Sequence, residues 1–110
     1  LSMKKEFRIR KNEEFQKILQ FKRFYASPSL TLYVKPKNET HARVGISVGK
    51  KIGGAVQRNK VKRQLRMMLQ ECFDFDGSFD AIVLVRPHFN EESYNTNKNY
   101  LETLLKKVKI

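Results

Sequence analysis

Apolar positions along the chain switch period several times, and each switch marks an element. From Asn12 the spacing is helical: Phe15, Ile18 and Leu19 share one face, Asn12 suits an N-cap, and Glu13 and Glu14 suit the positive end of the helix dipole. The spacing predicts that this first helix ends near Lys22, because Phe24-Tyr25-Ala26-Ser27-Pro28 has no helical period and closes on a proline that disfavours helix before it. The period then becomes two. Leu30, Leu32 and Val34 alternate with Thr31, Tyr33 and Lys35 as far as Pro36; after a turn at Lys37-Asn38-Glu39-Thr40, Val44, Ile46 and Val48 alternate with Arg43, Gly45 and Ser47. These read as two half-buried strands, and a short antiparallel pairing between them is expected. Phe7 and Ile9 alternate with Arg8 and Arg10, which suggests an extended N-terminal segment.

Gly53-Gly54 breaks the strand pattern, and helical spacing returns over residues 57–73. Val61, Leu65, Met68, Leu69 and Cys72 fall within an arc of about 100°, the width of a core-facing stripe. Asn59, Lys62, Arg63 and Arg66 fall on a neighbouring arc of similar width, so this helix is predicted to carry a basic face beside an apolar one. Residues 74–78 read as a turn. Ala81-Ile82-Val83-Leu84-Val85 is apolar without interruption, as in a central strand covered on both sides, and Pro87 ends it. A last helix starts near Ser93, with Leu101, Leu104, Leu105 and Val108 as its core stripe and Lys106, Lys107 and Lys109 suiting its negative end. No linker or repeat interrupts this order. At 110 residues the whole chain, 1–110, reads as one domain of the α+β class, an α/β sandwich of helices over a small mixed sheet. Leu1 and Ser2 precede Met3 and read as a cloning remnant.

Charge narrows the function. The net charge is +12, a surplus that disfavours the compact state by self-repulsion unless a polyanion uses it. The hydrophobic fraction of 40% is enough for a core, so this charge does not imply disorder. No apolar run approaches the roughly 20 residues that span a bilayer, no signal peptide is evident, and the single Cys72 forms no internal disulfide; a cytoplasmic protein without a membrane partner is expected. Between Glu39 and Glu71 there is no acidic residue at all, while residues 49–66 hold Lys50, Lys51, Arg58, Lys60, Lys62, Arg63 and Arg66. A charge run is ordinarily a solvated helix face. Here the basic residues line one arc of a strongly basic protein, with the Asn59 amide among them, an arrangement suited to successive phosphates.

Groups able to do chemistry are sparse. His41 and His88 have no His or Cys at metal-ligand spacing, Ser47 has no recognisable base, and Cys72 has no nearby His, so no catalytic and no metal-ligating residue is assigned. Asp74, Asp76 and Asp80 could hold Mg²⁺ as in a nuclease, but they bracket Gly77-Ser78, where Asp is common for conformational reasons. The glycines do not form a phosphate-binding fingerprint. No small-molecule substrate is indicated. A helix-turn-helix arrangement is also missing, whereas Phe15 and Tyr33 could stack on unpaired bases, although Phe15 fits a core role equally well.

The run GKKIGGAVQRNKVKRQLR resembles the signature of the bacterial ribonuclease P protein component: a Ser-x-Lys-Lys turn at Ser47, Lys50 and Lys51, then Arg-Asn-x-x-Lys-Arg-x-x-Arg at Arg58, Asn59, Lys62, Arg63 and Arg66. Arg8-Ile9-Arg10-Lys11-Asn12-Glu13-Glu14-Phe15, Leu32-Tyr33 and Ala81-Ile82-Val83-Leu84-Val85-Arg86 resemble other family segments. The resemblance implies an α-β-β-β-α-β-α fold with a left-handed βαβ crossover. It implies a partner RNA that removes the 5′ leader of precursor tRNA using Mg²⁺, with no cleavage by the protein alone; no metal site on the protein is predicted. It also implies that Lys50, Lys51, Arg58, Asn59, Lys62, Arg63 and Arg66 bind the catalytic RNA. A cleft at Phe15, Leu19, Thr31 and Tyr33 would receive the single-stranded leader. The chain departs from the family in placing Lys22 where a Gly is common, Ala26-Ser27-Pro28 in place of Ala-Asn-Arg, and aliphatic Leu19 where some relatives have an aromatic. A general RNA-binding or ribosome-associated protein, and a self-sufficient nuclease using the aspartates, are the alternative readings.

Overall fold

The computed structural model describes residues 3–110, so the expected remnant Leu1-Ser2 lies outside the described residues. In chain order the elements are α1 (Asn12–Gln20), β1 (Arg23–Ala26), β2 (Leu30–Pro36), β3 (Val44–Ser47), α2 (Ala55–Cys72), β4 (Phe79–Val85) and α3 (Tyr94–Lys107). Single 3-10 turns stand at Lys5–Phe7, Lys50–Ile52 and Pro87–Glu91. This is the α-β-β-β-α-β-α order, with three helices on a four-stranded mixed sheet.

The strands lie in the order β1-β2-β4-β3, β2 antiparallel to both neighbours and β3 parallel to β4, so α2 is the crossover between two parallel strands. The expected antiparallel pairing of β2 with β3 is not formed, because β4 lies between them. Its unbroken apolar run explains this, since a strand that must be covered on both faces belongs at the centre. The connection from β2 to β3 wraps the turn before β4 instead of closing a hairpin: Lys37 N–H donates to the Ser78 carbonyl at 3.1 Å and Ala42 N–H to that of Phe75 at 2.8 Å.

Strand β1 falls in the stretch read as irregular. It forms a hairpin with β2 whose corner is closed by Ser27, with the Ser27 amide donating to the Leu30 carbonyl at 2.8 Å and the Leu30 amide to Ser27 Oγ at 3.0 Å. The cap of α1 is Lys11, not Asn12, and no side chain caps it. The extended N-terminal segment amounts to one parallel bridge, Arg8 to Val44, following the 3-10 turn. Helix α2 begins two residues before the expected Gln57: Gly53 sits at φ 147°, a conformation side chains resist, and Gly54 serves as N-cap. Helix α3 starts as read, with Ser93 Oγ accepting from the Thr96 amide at 3.1 Å. Among the described residues no helix is long and apolar enough to cross a membrane.

Alternation assigns the two faces of the sheet. Leu30, Leu32 and Val34 of β2 and Ala81, Val83 and Val85 of β4 meet the α2 stripe (Val61, Leu65, Met68, Leu69) and Leu101 and Leu104 of α3 in the main core. The opposite face meets α1 and Ile9 of the N-terminal segment, in a smaller cluster of Ile9, Ile18 and Ile82 with Phe15, Leu19 and Tyr33 half-buried around it. A clasp holds α1 down: Arg43 pairs with Glu14 of α1 at 2.8 Å and lies 3.8 Å from Asp80 of β4, whose carboxylate also accepts from the Arg43 amide at 2.9 Å.

Candidate nucleic-acid interface

Because the apolar stripe of α2 is locked into the core, the adjacent arc points out of the fold. Asn59 and Arg63 are exposed there, and Lys62 and Arg66 are half-buried. The last two line a cavity of about 350 Å³ beside β3, shared with Arg8, Arg10 and Phe15. Lys50 and Lys51, exposed on the turn after β3, line a second cavity of about 470 Å³ at the C-terminal ends of β3 and β4, with Ser47 and Arg86. Four of the predicted residues are thus divided between two cavities flanking β3, while Arg58, Asn59 and Arg63 line neither. Arg58 differs from the rest: its Nη1 donates to the Gly53 carbonyl at 2.8 Å, fastening the strained glycine turn to the start of α2. Among the described residues, none of these cations takes part in an ion pair.

Three of the four expected cleft residues, Phe15, Leu19 and Tyr33, come together on the α1 side of the sheet. Thr31 lies on the same face of β2 but is buried, and its Oγ1 accepts from Arg86 Nε at 3.0 Å. Two residues not singled out for this cleft complete it. Phe24 of β1 is 55% exposed, with its ring 5.3 Å from that of Tyr33, and Arg86 stands over Thr31. No local pattern marks Phe24, because Phe24-Tyr25-Ala26 is apolar without alternation and mostly exposed. Nor does one mark Arg86, because its link to Thr31 spans 55 positions. Gly45 explains how Phe15 reaches the sheet, since a Cβ there would lie 2.7 Å from the Phe15 ring.

The residues weighed for catalysis have other duties. His41 Nε2 lies 2.7 Å from the Glu6 carbonyl, and His88 lies 3.3 and 3.5 Å from Glu91 and Glu92. Asp74 accepts from the Asp76 amide within the turn, while Asp80 is buried against Arg43. Among the described residues no three His, Cys, Asp or Glu side chains are grouped to hold a metal. Burial pushes the Cys72 thiol up to about 11, which keeps it protonated and weakly nucleophilic at neutral pH.

A model of the Ribonuclease P family matches residues 3–109. The ribonuclease P protein component of Mycoplasma capricolum is 44% identical over 109 residues, 97% of this chain and 100% of that protein. A solved Staphylococcus aureus RNase P protein mutant with defective mRNA degradation activity is similar at TM-score 0.82 and 35% identity, covering 93% of this chain and 87% of the other. The RNase P protein from Thermotoga maritima shares the fold at TM-score 0.80 and 24% identity, over 94% and 98% of the two chains. With the α-β-β-β-α-β-α order and the Arg-Asn-x-x-Lys-Arg helix in place, these matches make the chain a member of the ribonuclease P protein family.

Proposed function

We propose that the protein acts as the protein subunit of ribonuclease P in tRNA 5′ maturation, binding the catalytic RNA and the 5′ leader of precursor tRNA. The observation that carries this reading is the acid-free stripe of α2, aimed outward by the buried stripe beside it. Lys50, Lys51, Asn59, Lys62, Arg63 and Arg66 contact phosphates of the catalytic RNA, while Arg58 shapes the turn that presents them. The leader lies over Phe15, Leu19, Tyr33 and Phe24, where unpaired bases can stack, with Arg86 standing in front of Thr31 to meet its backbone.

Cleavage chemistry and its Mg²⁺ belong to the RNA in this reading. The protein lowers repulsion between phosphates, favouring the folded RNA and its bound ions, and adds affinity for substrates that carry a leader. Reconstitution tests it: precursor tRNA is incubated with protein alone, with ribonuclease P RNA alone at low Mg²⁺, and with both. Cleavage only in the mixture is expected. Activity of the protein alone would instead make it a nuclease, and no stimulation of the RNA would make it a general RNA binder. Arg63→Ala is expected to weaken catalytic-RNA binding by roughly 1–3 kcal/mol, the scale of a lost charged hydrogen bond, with the unfolding midpoint unchanged. Equal affinity of mutant and parent at one salt concentration would remove that residue from the interface.

A further inference from the structure

In the cavity of about 350 Å³ at the outer edge of β3, Arg8 and Arg10 share the lining with Lys62 and Arg66 and with the apolar groups Phe15 and Ile46. Backbone contacts hold the N-terminal segment in this place. The Ile9 amide donates to the Val44 carbonyl at 3.0 Å, Ile9 is buried, and alternation carries Arg8 and Arg10 to a common side. Past that single bridge no strand pairs with the outer edge of β3 among the described residues.

Four cations from two separate elements converge here, and no carboxylate lines the cavity. None of the four has an ion-pair partner among the described residues. Arg8 Nε is buried without a hydrogen-bond acceptor, an arrangement that costs stability until an acceptor arrives. The missing group is therefore an anion with several oxygens. The apolar groups of the lining call for more than a bare anion, since they offer a surface to a sugar or a base.

We infer that this cavity binds an unpaired nucleotide of the catalytic RNA, its phosphodiester held by Arg8 and Arg10 together with Lys62 and Arg66. The inference rests on the proposed role of Lys62 and Arg66 as RNA contacts and extends that surface to a second element. A duplex can set a phosphate at the rim, but its paired bases stay inside the helix and leave the apolar surface of Phe15 and Ile46 uncovered.

The test uses the full protein with the substitutions Arg8→Gln and Arg10→Gln together, titrated against ribonuclease P RNA over a range of salt concentrations. Affinity is expected to fall about tenfold or more, and the slope of log K against log salt to flatten by roughly one to two, as for one or two lost phosphate contacts. Lys62→Gln with Arg66→Gln is measured alongside. If that pair weakens binding while the Arg8 and Arg10 pair leaves affinity and slope unchanged, the inferred site is overturned and the functional reading stands. If neither pair weakens binding, the functional reading fails too. An effect confined to leader-bearing precursor tRNA, absent with the catalytic RNA, would overturn the choice of occupant. A short single-stranded RNA should also lose its advantage over a duplex of equal length; equal losses would overturn the unpaired nucleotide. Should the double variant fail to fold, Arg10→Gln, at an exposed side chain, is read in its place, with a slope change of about one.

Discussion

On one face of the sheet Leu30, Leu32, Val34, Ala81 and Val83 are fully sealed beneath α2 and α3, whereas on the other Tyr33 is half-buried and Phe24 more than half exposed beside α1. Helix lengths account for the contrast. The covering pair have 18 and 14 residues, about 27 and 21 Å at 1.5 Å per residue, against nine residues and about 14 Å for α1. The short helix leaves part of its face uncovered, and that part holds aromatic rings with cations at the border. Folding stability resides mainly in the closed face, whereas the contacts proposed for RNA lie on the open one and along the rim of β3. Substitutions on the two faces should therefore fail in different assays.

The largest effect is expected in the closed face. Leu65→Ala removes a side chain with no exposure and should cost about 3–5 kcal/mol, read as a lower midpoint in urea. Tyr33→Ala, half-buried, should cost about 1–2 kcal/mol but should weaken affinity for leader-bearing substrate far more than affinity for mature tRNA. Equal stability losses for the two variants would break the distinction between the faces.

The next effect concerns what joins them. Arg43→Ala takes a partner from both Glu14 and Asp80 and should cost about 2 kcal/mol, the scale of hydrogen bonds to charged groups. Because Glu14 belongs to α1, hydrogen exchange should rise first in that helix. The same clasp has a pH signature. Burial pushes the Asp80 carboxyl above its ordinary value, although the Arg43 amide and guanidinium pull it down. A folded carboxyl that holds its proton more tightly than the unfolded one contributes stability below the unfolded pKa, and this is lost as pH rises through the folded pKa. Asp80→Asn should flatten that part of the stability profile and leave the rest in place.

An effect of similar size sharpens the geometry of the open face. In Gly45→Ala the new Cβ meets the Phe15 ring, and over-packing of this kind costs about 1–3 kcal/mol. Its informative readout is affinity: leader binding should weaken as the ring is displaced, and adding Phe15→Leu should recover stability without recovering leader affinity. Recovery of both would show that the Phe15 ring itself does not touch the leader.

The elements that could be read in advance are those whose signal is local and long. The two stripes of α2, the apolar run of β4 and the Ser93 start of α3 need only spacing along the chain, and the structure has all three. β1 was hidden because it is four residues long and mostly exposed, so burial stamps little alternation on it. The order β1-β2-β4-β3 could not come from period either, because it depends on which strand tolerates cover on both faces; the family resemblance implied the third strand before α2, which spacing left open. At the candidate site, the six cations of the basic signature were visible as charge, and Asn59 by its place among them. The lining that Arg8 and Arg10 share with Lys62 and Arg66, and the bond of Arg86 to Thr31, arise only when distant segments meet.

The smallest expected effect lies at the joint between α1 and β1. Lys22 sits at φ 60°, the left-handed conformation that an L side chain adopts at a cost of roughly 1–2 kcal/mol. A glycine would remove that cost, and the greater freedom it gives the unfolded chain would take back about 0.4–1 kcal/mol. Lys22→Gly should therefore stabilise the protein by about 0.5–1 kcal/mol, a rise in the unfolding midpoint at unchanged denaturant slope. The lost cation borders Phe21 and Phe24 on the open face, so the same variant also asks whether that border matters. A more stable protein with unaltered leader affinity would make the left-handed lysine a tolerated departure from the family's glycine. A more stable protein that binds the leader less tightly would mean that stability at this joint has been exchanged for a positive charge beside the aromatic cleft, and would extend the ligand-contacting half of the molecule to the end of α1.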